Sequence, residues 1–531
     1  MFTSLSTLAG GIGLFLLGMV LMSDSLKAMA GESLRTALGR LTGKPVKALL
    51  VGMGATAMVQ SSTATTMATI GFVSAGLLSF QNAIGVIIGA NIGTTSTGWI
   101  VALLGMKFSI SSLALPIIAI GALLKLLGKD RLALTGLALA GFGLMFIGID
   151  FLQQAMAGMA ERVDLSGVSG QGWAARLMLV LIGIVMTVLL QASSAALAAT
   201  LAALSSGTID FSQATALVIG QNIGTTATAL LAAMGGSASA KRTALVHLLF
   251  NLGSAVLAFF LLQPAFVYLA HAWDLHHGSV DVALALAAFH SAFSIVGAAV
   301  FLPQAGLLAR IASRIIHESA PPGLRYLDDS LLSVPALAIA ATERTVCLGL
   351  ADTCHLLAQR LRGEPLADSK SGLSLDKLLV AVDAYLDKLP VPQSGSDQQR
   401  LEHLLLLIDQ TRVLRDDLGA ISNVSVLRQQ PALWALAERL APVLERSAGW
   451  LADEGLAQRE EVTEELRQVS AWVHEQQTQA RRAVVEDAAS YRITPAAALE
   501  QLTAQRWLER LSKHVARIAE TLGDTRALYS D

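Results

Sequence analysis

Charged residues are scarce in the first 310 residues of this 531-residue chain. None occurs from residue 48 to residue 106, and Asp210 is the only one from residue 177 to residue 240. Both runs exceed the roughly 20 residues that an α-helix needs to cross a bilayer. The absence of charge excludes a soluble fold for this part of the chain and predicts an integral membrane domain over residues 1–317.

Cysteine is nearly absent as well. Cys347 and Cys354 are the two in the chain, and their spacing of two helical turns, about 10 Å, is too long for a disulfide. Both are expected to be reduced core residues of a cytosolic domain. The opening Met-Phe-Thr-Ser has no lysine or arginine, so it lacks the charged region of a signal peptide and is expected to begin an uncleaved span. Basic residues form no stripe that would indicate a nucleic-acid partner.

Two patches of uncharged polar residues interrupt the apolar sequence. The first consists of Gln60-Ser-Ser-Thr63 and, further along the chain, Gly89-Ala-Asn-Ile-Gly-Thr-Thr95. The second consists of Gln191-Ala-Ser-Ser194 and Gly220-Gln-Asn-Ile-Gly-Thr-Thr226, and it keeps the same internal spacing. An unsatisfied polar group in lipid is costly. Two such patches at a fixed offset therefore predict one binding site made of two halves, as in a transporter.

The apolar sequence predicts seven spans and two broken segments. Residues 46–79 and 174–209 each carry a Gln/Ser motif near the middle, and neither half is long enough to cross roughly 30 Å. Each is expected to form a re-entrant helical hairpin or a broken helix, which is tolerated at membrane depth where it lines an enclosed cavity. The seven spans are expected near residues 5–23, 83–105, 110–127, 131–153, 213–235, 243–270 and 283–309.

Lysine and arginine cluster in residues 24–47, 125–131, 241–242 and 310–314. If the N-terminus lies outside and both hairpins return to the side they entered, all four clusters face the cytoplasm, as the positive-inside rule requires. Residues 155–175 and 271–281 then form external loops.

The motifs belong to a longer repeat of the form span, hairpin, span, span. Repeat 1 covers about residues 5–128, repeat 2 covers about 131–270, and residues 283–309 form an extra span. Because three full spans is an odd number, repeat 2 is expected to be inverted relative to repeat 1. Inverted repeats place the substrate site near the midplane, where discontinuous helices meet.

The chemistry of the motifs favours an anion together with sodium. A Gln-Ser-Ser-Thr tip offers hydroxyl and amide groups, and the half-helix that begins at Thr63 or Ser194 directs free N–H groups and a positive dipole end toward an anion such as phosphate. The glycine of each Asn-Ile-Gly-Thr-Thr segment is expected to let the helix unwind and expose carbonyls that suit Na⁺. Neither motif contains Asp, Glu or Lys, so a carboxylate proton relay is disfavoured.

A packing role is the alternative for any single residue of these motifs, because small residues allow helices in membranes to approach closely. The intramembrane polar residues His247, Asn251 and His290 are functional candidates by position, but interhelical hydrogen bonds are the expected role for each.

The paired Gln-Ser-Ser and Gly-x-Asn-Ile-Gly-Thr-Thr motifs resemble those of the type II sodium/phosphate cotransporters over roughly residues 5–310. Ala192 departs from the pattern, since it occupies the first serine position of the second copy. The resemblance implies a substrate and sodium pathway formed by Gln60, Ser61, Ser62, Thr63, Asn91, Gly93, Thr94, Thr95, Gln191, Ser193, Ser194, Asn222, Gly224, Thr225 and Thr226.

Charge returns after residue 318, and a linker at residues 318–335 precedes a predicted helical domain at 336–531. Apolar residues recur there at helical spacing, without strand signals. The tail resembles a PhoU domain, a cytoplasmic phosphate-signalling module, because Arg510-Leu-Ser-Lys-His514 approximates the PhoU pattern Arg-Ile-x-Asp-His. Lys513 stands where that pattern has its metal-binding Asp. A solvated acidic helix face is the expected role of Glu402, Asp409, Asp416 and Asp417, and metal binding is the alternative. The six tail helices are expected near 336–362, 374–390, 397–422, 430–453, 457–488 and 494–523.

The sequence thus predicts an all-α, multi-pass protein of the cell inner membrane, with an external N-terminus and a cytoplasmic C-terminal domain. Its expected function is sodium-coupled transport of inorganic phosphate by alternating access, with Na⁺ as the coupling ion, no cofactor and no enzymatic step. A carrier of another small anion and a membrane phosphate sensor that signals through the tail remain alternatives. Transport direction, the Na⁺ to phosphate ratio, a homo-oligomer and a cytoplasmic signalling partner are open.

Overall fold

The computed structural model describes residues 2–39, 45–107, 111–160, 172–277, 280–318, 321–364, 374–392, 395–452 and 459–527. Within these ranges the secondary structure is helical, with no strand. The chain divides into two compact units. Unit 1 contains residues 1–73 and 77–318, and unit 2 contains residues 74–76 and 319–531.

The described part of unit 1 consists mainly of apolar helices, with π-helical segments at Val101–Lys107 and Ala258–Leu262. The α-helices are α1 (Phe2–Gly39), α2 (Pro45–Val59), α3 (Ser62–Ser74), α4 (Phe80–Ile100), α5 (Ser111–Leu127), α6 (Asp130–Ala160), α7 (Trp173–Leu190), α8 (Ser193–Ser205), α9 (Phe211–Gly224), α10 (Thr226–Ala233), α11 (Ala238–Leu257), α12 (Gln263–His277), α13 (Val282–Phe301) and α14 (Ala305–Ile315).

Seven helical stretches in the described part of the chain are long and apolar enough to cross a membrane, so the protein is a multi-pass membrane protein. Six of them fall on predicted spans. The predicted span at 110–127 corresponds to α5, whose 17 residues are about 25 Å long at 1.5 Å per residue, somewhat shorter than the roughly 30 Å hydrocarbon core. The seventh long stretch is Trp173–Leu190, the first half of the predicted broken segment at 174–209. This half was expected to be too short to cross, but its 18 residues continue unbroken to Leu190, immediately before Gln191.

Two predicted boundaries are wrong. The expected loop at 271–281 is helical as far as His277, where α12 ends. The expected span at 283–309 ends at Phe301, and α14 begins separately at Ala305. Pro303 lies in the turn between them, where it has no N–H to continue the helix.

The two polar motifs break their segments at equivalent places. Gln60 separates α2 from α3 with φ 56°, and Gln191 separates α7 from α8 with φ 54°. This left-handed conformation is uncommon for residues other than glycine. Its occurrence at both positions shows that the repeat of the sequence is also a repeat of the backbone.

The same helix pairing recurs in both halves, with α2 against α4 and α7 against α9. A Cβ atom built on Gly89 would collide with the carbonyl oxygen of Leu49, and one built on Gly220 would collide with that of Val180. Val180 follows Leu49, and Gly220 follows Gly89, by the same number of residues by which Gln191 follows Gln60. Glycine is required at these two positions because the backbones approach so closely.

The glycines of the Asn-Ile-Gly-Thr-Thr segments have the same packing role, and the expected unwinding at Gly93 is wrong. Helix α4 continues without interruption through Gly93, where a Cβ would lie 2.5 Å from the carbonyl oxygen of Met53. At Gly224 a Cβ would lie 2.7 Å from Cβ of Thr187. The second copy does contain a break, since α9 ends at Gly224 and α10 begins at Thr226.

Unit 2 is a helical bundle around one apolar core. Its helices are α15 (Pro335–Arg362), α16 (Leu375–Leu386), α17 (Gly395–Leu418), α18 (Asn423–Arg428), α19 (Pro431–Ala452), α20 (Arg459–Ala489) and α21 (Pro495–Ala527). Six match the predicted helices, and α18 was not predicted. The expected linker contains 3₁₀ turns at Pro322–Leu324 and Asp329–Ser333. Cys347 and Cys354 are buried and are not joined in a disulfide, and burial together with the charge of Glu445 raises the pKa of Cys354 to about 12.

Candidate functional site

A cavity of about 230 Å³ in unit 1 is lined by both Gln/Ser motifs, Gln60–Thr63 (the first tip) and Gln191–Ser194 (the second tip). Eight of the fifteen predicted site residues line it: Gln60, Ser61, Ser62, Thr63, Thr94, Gln191, Ser193 and Ser194. The other seven do not: Asn91, Gly93, Thr95, Asn222, Gly224, Thr225 and Thr226. The first tip and the second tip, far apart in sequence, therefore share one polar space.

The first tip is tied to helix α4 through the carboxamide of Gln60. Its Nε2 donates to Ser96 Oγ at 3.0 Å, and its Oε1 accepts a hydrogen bond from Thr97 Oγ1 at 2.9 Å. The Ser61 hydroxyl accepts a hydrogen bond from the N–H of Ala64 at 3.2 Å and so caps α3. The amide and the hydroxyl of this tip are thus held in place by the protein itself.

The second tip has the same backbone conformation but fewer side-chain hydrogen bonds to other helices. The amide of Gln191 donates to Val188 O at 2.8 Å, within its own helix. Ala192 stands at the N-cap of α8, where no side chain accepts a hydrogen bond from the helix. Ser194 donates to Met19 Sδ of α1 at 2.5 Å. The first N–H groups of α8 are therefore left without a side-chain acceptor.

A buried hydroxyl near each tip shows the same difference. Thr56 donates to Thr65 at 2.9 Å, between α2 and α3. The equivalent of Thr56 is Thr187, whose buried hydroxyl has no hydrogen-bond partner. Ala196 occupies the position equivalent to Thr65, so the second half lacks the acceptor.

The threonines of the Asn-Ile-Gly-Thr-Thr segments donate to backbone carbonyls three or four residues earlier in the chain. Thr94 donates to Ala90 O at 2.9 Å and Thr95 to Ile92 O at 2.8 Å. Thr225 and Thr226 donate to Asn222 O at 2.6 Å and Ile223 O at 2.8 Å. A hydroxyl that donates still has oxygen lone pairs for a cation. Of these four threonines, however, only Thr94 lines the cavity.

Buried polar contacts behind the second tip follow the prediction in part. Asn222 Nδ2 donates to Asn251 Oδ1 at 2.5 Å, which is the expected interhelical bond of Asn251. The Nδ1 atoms of His247 and His290 have no hydrogen-bond partner, so the expected bonds of the two histidines do not involve these atoms.

Asp24 and Lys27 also line the cavity, and they are its charged lining residues. Lys27 Nζ lies 2.9 Å from Asp24 Oδ1, and the lysine and aspartate side chains are 41% and 61% exposed. Both belong to the segment at 24–47, for which the sequence predicted only a cytoplasmic position and no part in the site. Their spacing was the available signal, because Val20, Asp24 and Lys27 recur every three to four residues and so share one face of α1.

In unit 2, Arg510 and His514 bind a carboxylate. Arg510 Nε lies 2.6 Å from Asp417 Oδ1, and His514 Nδ1 lies 2.6 Å from Oδ2 of the same residue, whose side chain is 3% exposed. These contacts join α21 to α17. No group of three or more His, Cys, Asp or Glu side chains in the described part of the chain is placed to hold a metal ion.

Comparison with known proteins decides the family. The profile of the Na⁺/Pi-cotransporter family matches residues 14–154 and 161–301, which together make up more than half of the chain. The chain belongs to the Na⁺/Pi-cotransporter family. The predicted resemblance of the membrane domain to sodium/phosphate cotransporters is thereby confirmed, and the family is one of transporters, not of enzymes.

Three relatives illustrate the range of similarity. An uncharacterized protein of Bacillus subtilis, YqeW, is 35% identical over 309 residues, which cover 57% of this chain and 95% of the relative. The "Putative inorganic phosphate export protein YjbB" of Salmonella typhimurium is 28% identical over 407 residues, 74% of this chain and 72% of the relative. The "Sodium-dependent phosphate transport protein 2C" of Mus musculus is 42% identical over 90 residues, 16% of this chain and 15% of the relative. No solved structure matches.

Proposed function

We propose that this protein couples the movement of Na⁺ to that of inorganic phosphate across the membrane, at the cavity shared by the two tips. The main observation behind the proposal is that both Gln/Ser motifs line one cavity within the apolar unit 1. The family and the names of the relatives support phosphate as the substrate.

The cavity offers groups suited to both ions. An anion would receive hydrogen bonds from the hydroxyls of Ser193 and Thr63, from the uncapped N-terminus of α8, and from the ammonium group of Lys27. Na⁺ would be coordinated by neutral oxygens, for which Ser61, Thr94 and the Gln191 side chain are candidates. The remaining predicted residues would support these groups from within the helices.

Alternating access would follow from two tips that enter the membrane from opposite sides. Under this proposal α2–α3 and α7–α8 are re-entrant hairpins of inverted repeats, and the cavity opens to one side at a time. Residues 1–317 form the transport domain, with the N-terminus outside and the PhoU-like helical domain (336–531) in the cytoplasm behind the linker. A tag inserted after residue 277 is then expected to react with impermeant reagents added outside; protection of this tag would contradict the topology.

Uptake of labelled phosphate into proteoliposomes tests the function. An inward Na⁺ gradient is expected to accelerate uptake relative to a K⁺ gradient, and unlabelled phosphate should compete better than sulfate. Ser193→Ala should slow uptake. Ser206→Ala, whose hydroxyl contacts Thr208 outside the cavity, serves as the matched control. Absence of Na⁺-dependent flux in either direction would refute the coupling, and better competition by sulfate would refute the substrate.

Efflux from the same vesicles addresses direction, because YjbB is described as an export protein. Vesicles loaded with phosphate and given an outward Na⁺ gradient are expected to lose label faster than vesicles given a K⁺ gradient.

The membrane domain is expected to transport without the tail. YqeW aligns over 95% of its own length with 57% of this chain, so that relative lacks room for a tail of this size. A chain ending at residue 318 should retain Na⁺-dependent uptake, and any change in its dependence on phosphate would be assigned to regulation by the tail. Complete loss of uptake in a folded truncated chain would show that the tail is part of the transport machinery.

A further inference from the structure

An apolar groove of about 440 Å³ lies between α7, α9 and α11, away from the tips. All of its lining side chains are aliphatic or aromatic. On α7 the groove extends from Trp173 to Val180, a distance of about 10 Å along the helix axis. α7 is one of the long apolar helices, and the groove starts near its N-terminal end and runs toward its middle.

Arg176 stands beside the entrance of this groove. Its guanidinium lies 5.7 Å from the ring centre of Trp173 and 4.6 Å from that of Phe259, two residues that line the groove. Nε donates to Gln263 Oε1 at 3.0 Å, and Nη2 donates to Phe259 O at 2.7 Å. These acceptors are neutral, and no carboxylate in the described part of the chain forms an ion pair with Arg176. Within the described residues, the positive charge is held in place by neutral acceptors.

The surrounding backbone is built to hold this arginine. Residues Ala258–Leu262 are π-helical, and the carbonyl that Arg176 contacts belongs to Phe259 of this segment. Interrupted α-helical bonding of this kind occurs often at functional sites. Gln263 is itself buried and donates to Ser212 O at 3.0 Å and to Thr215 Oγ1 at 3.2 Å, so that its Oε1 is fixed toward the guanidinium.

The position of Arg176 matches the depth of lipid headgroups. It lies in the first turn of an 18-residue apolar span, and Trp173, three residues earlier, is of a type enriched at the membrane interface. Placing a charged side chain at the edge of the hydrocarbon costs free energy unless an opposite charge lies beside it. Pro45 occupies the equivalent position in the first repeat, so this site is not part of the duplicated polar motifs.

We propose that Arg176 and the groove bind one anionic phospholipid, with its phosphate against the guanidinium and an acyl chain in the groove. The basic group selects the headgroup, while the apolar lining selects a lipid over free phosphate. The lipid acts as a structural ligand of α7, the helix that ends at the second tip.

Native mass spectrometry of the purified full chain tests the proposal, with phosphatidylglycerol and phosphatidylcholine of identical acyl chains as probes. The protein is expected to retain phosphatidylglycerol about fivefold better, as one basic residue near the surface allows. Arg176→Gln should abolish this preference, and Arg176→Lys should keep part of it. Val256→Trp, which fills the groove, should reduce retention of both lipids.

Arg131→Gln is the matched control, because Arg131 is an exposed basic residue near the start of another long apolar helix. It should leave the preference unchanged. Equal retention of the two lipids by the unaltered protein would overturn the proposal. So would an equal loss in Arg131→Gln and Arg176→Gln, or displacement of phosphatidylglycerol by excess free phosphate. If Arg176→Gln does not fold, Arg176→Lys and Val256→Trp still decide the outcome.

Discussion

The two tips share a backbone and differ in what holds it. Gln60 and Gln191 have nearly the same left-handed φ, yet Gln60 is bonded to two hydroxyls of α4 while Gln191 bonds only within its own helix. The position equivalent to Ser96 is Ala227, and the position equivalent to Ser61 is Ala192. Duplication has thus kept the conformation of the tips but has left their side-chain support unequal.

This difference teaches how one cavity can be built from a rigid half and an adaptable half. The polar groups of the first tip are oriented before any ion arrives, which lowers the ordering cost of binding. The second tip has an uncapped helix and an unpartnered buried hydroxyl at Thr187. Its groups can gain hydrogen bonds when an ion binds, so ion binding is expected to affect the second tip more strongly.

The largest expected effects come from removing the two glutamines. Gln60→Ala and Gln191→Ala should each reduce Na⁺-dependent uptake by about tenfold or more, because the first tip loses the hydrogen bonds that position it and the second tip loses a proposed Na⁺ ligand. Only Gln60→Ala should also destabilise the protein, by about 1–3 kcal/mol, because Ser96 and Thr97 lose their partner. Uptake rates and thermal unfolding of both variants measure the two quantities. Equal loss of stability in both would contradict the proposed asymmetry, and preserved transport in both would remove the tips from the site.

Lys27 belongs to α1, the helix whose Met19 receives the hydroxyl of Ser194 from the second tip. Lys27→Gln is expected to raise the KM for phosphate about fivefold, because a charge-assisted hydrogen bond to the anion is lost. Lys27→Arg should restore most of the affinity. Rates measured against phosphate concentration at fixed Na⁺ provide the test, and a change in the KM for Na⁺ alone would assign Lys27 to another role.

Reciprocal exchange of the capping residue tests whether the tips differ only by their side chains. Ala192 has the extended backbone of an N-cap, with φ −150° and ψ 110°, so Ala192→Ser should stabilise the protein by about 1 kcal/mol. Ser61→Ala should destabilise it by a similar amount. Calorimetry of the two variants measures these shifts. We also expect Ala192→Ser to lower the KM for Na⁺, since it adds a hydroxyl to the cavity. Two shifts of the same sign would refute the capping argument.

The smallest expected effect is that of Ala227→Ser. The new hydroxyl would give Gln191 the partner that Ser96 gives to Gln60, and one added hydrogen bond contributes about 1 kcal/mol. Transport is expected to require movement of the second tip, so this added hydrogen bond should slow turnover by about twofold to fivefold. The KM for phosphate should stay nearly unchanged. Thr228→Ser, at the neighbouring position, keeps the hydroxyl that is already present and serves as the control.

The amino-acid sequence predicted which polar motifs meet at the cavity more completely than it predicted their geometry. Both glutamine motifs line the cavity as expected, because only a functional or enclosed position tolerates so many polar groups among apolar residues. Seven residues of the predicted set lie elsewhere. Three of them belong to α4, which does not unwind at Gly93, and four belong to the second copy, whose break at Thr225 does not bring them to the cavity. A glycine that allows unwinding and one that allows close packing look the same in a sequence, and only the neighbouring carbonyl of Met53 distinguishes them.

The sequence by itself determined the helical membrane fold, the polar interruptions and the internal repeat that relates Gln60 to Gln191. Each of these follows from composition and spacing along the chain. The tertiary structure decided which hydroxyls face the cavity, that Asp24 and Lys27 join them, and that the charge of Arg176 stands beside an apolar groove. These features depend on how helices are rotated against partners far away in sequence. Small differences in packing set that rotation, and no local pattern of residues records it.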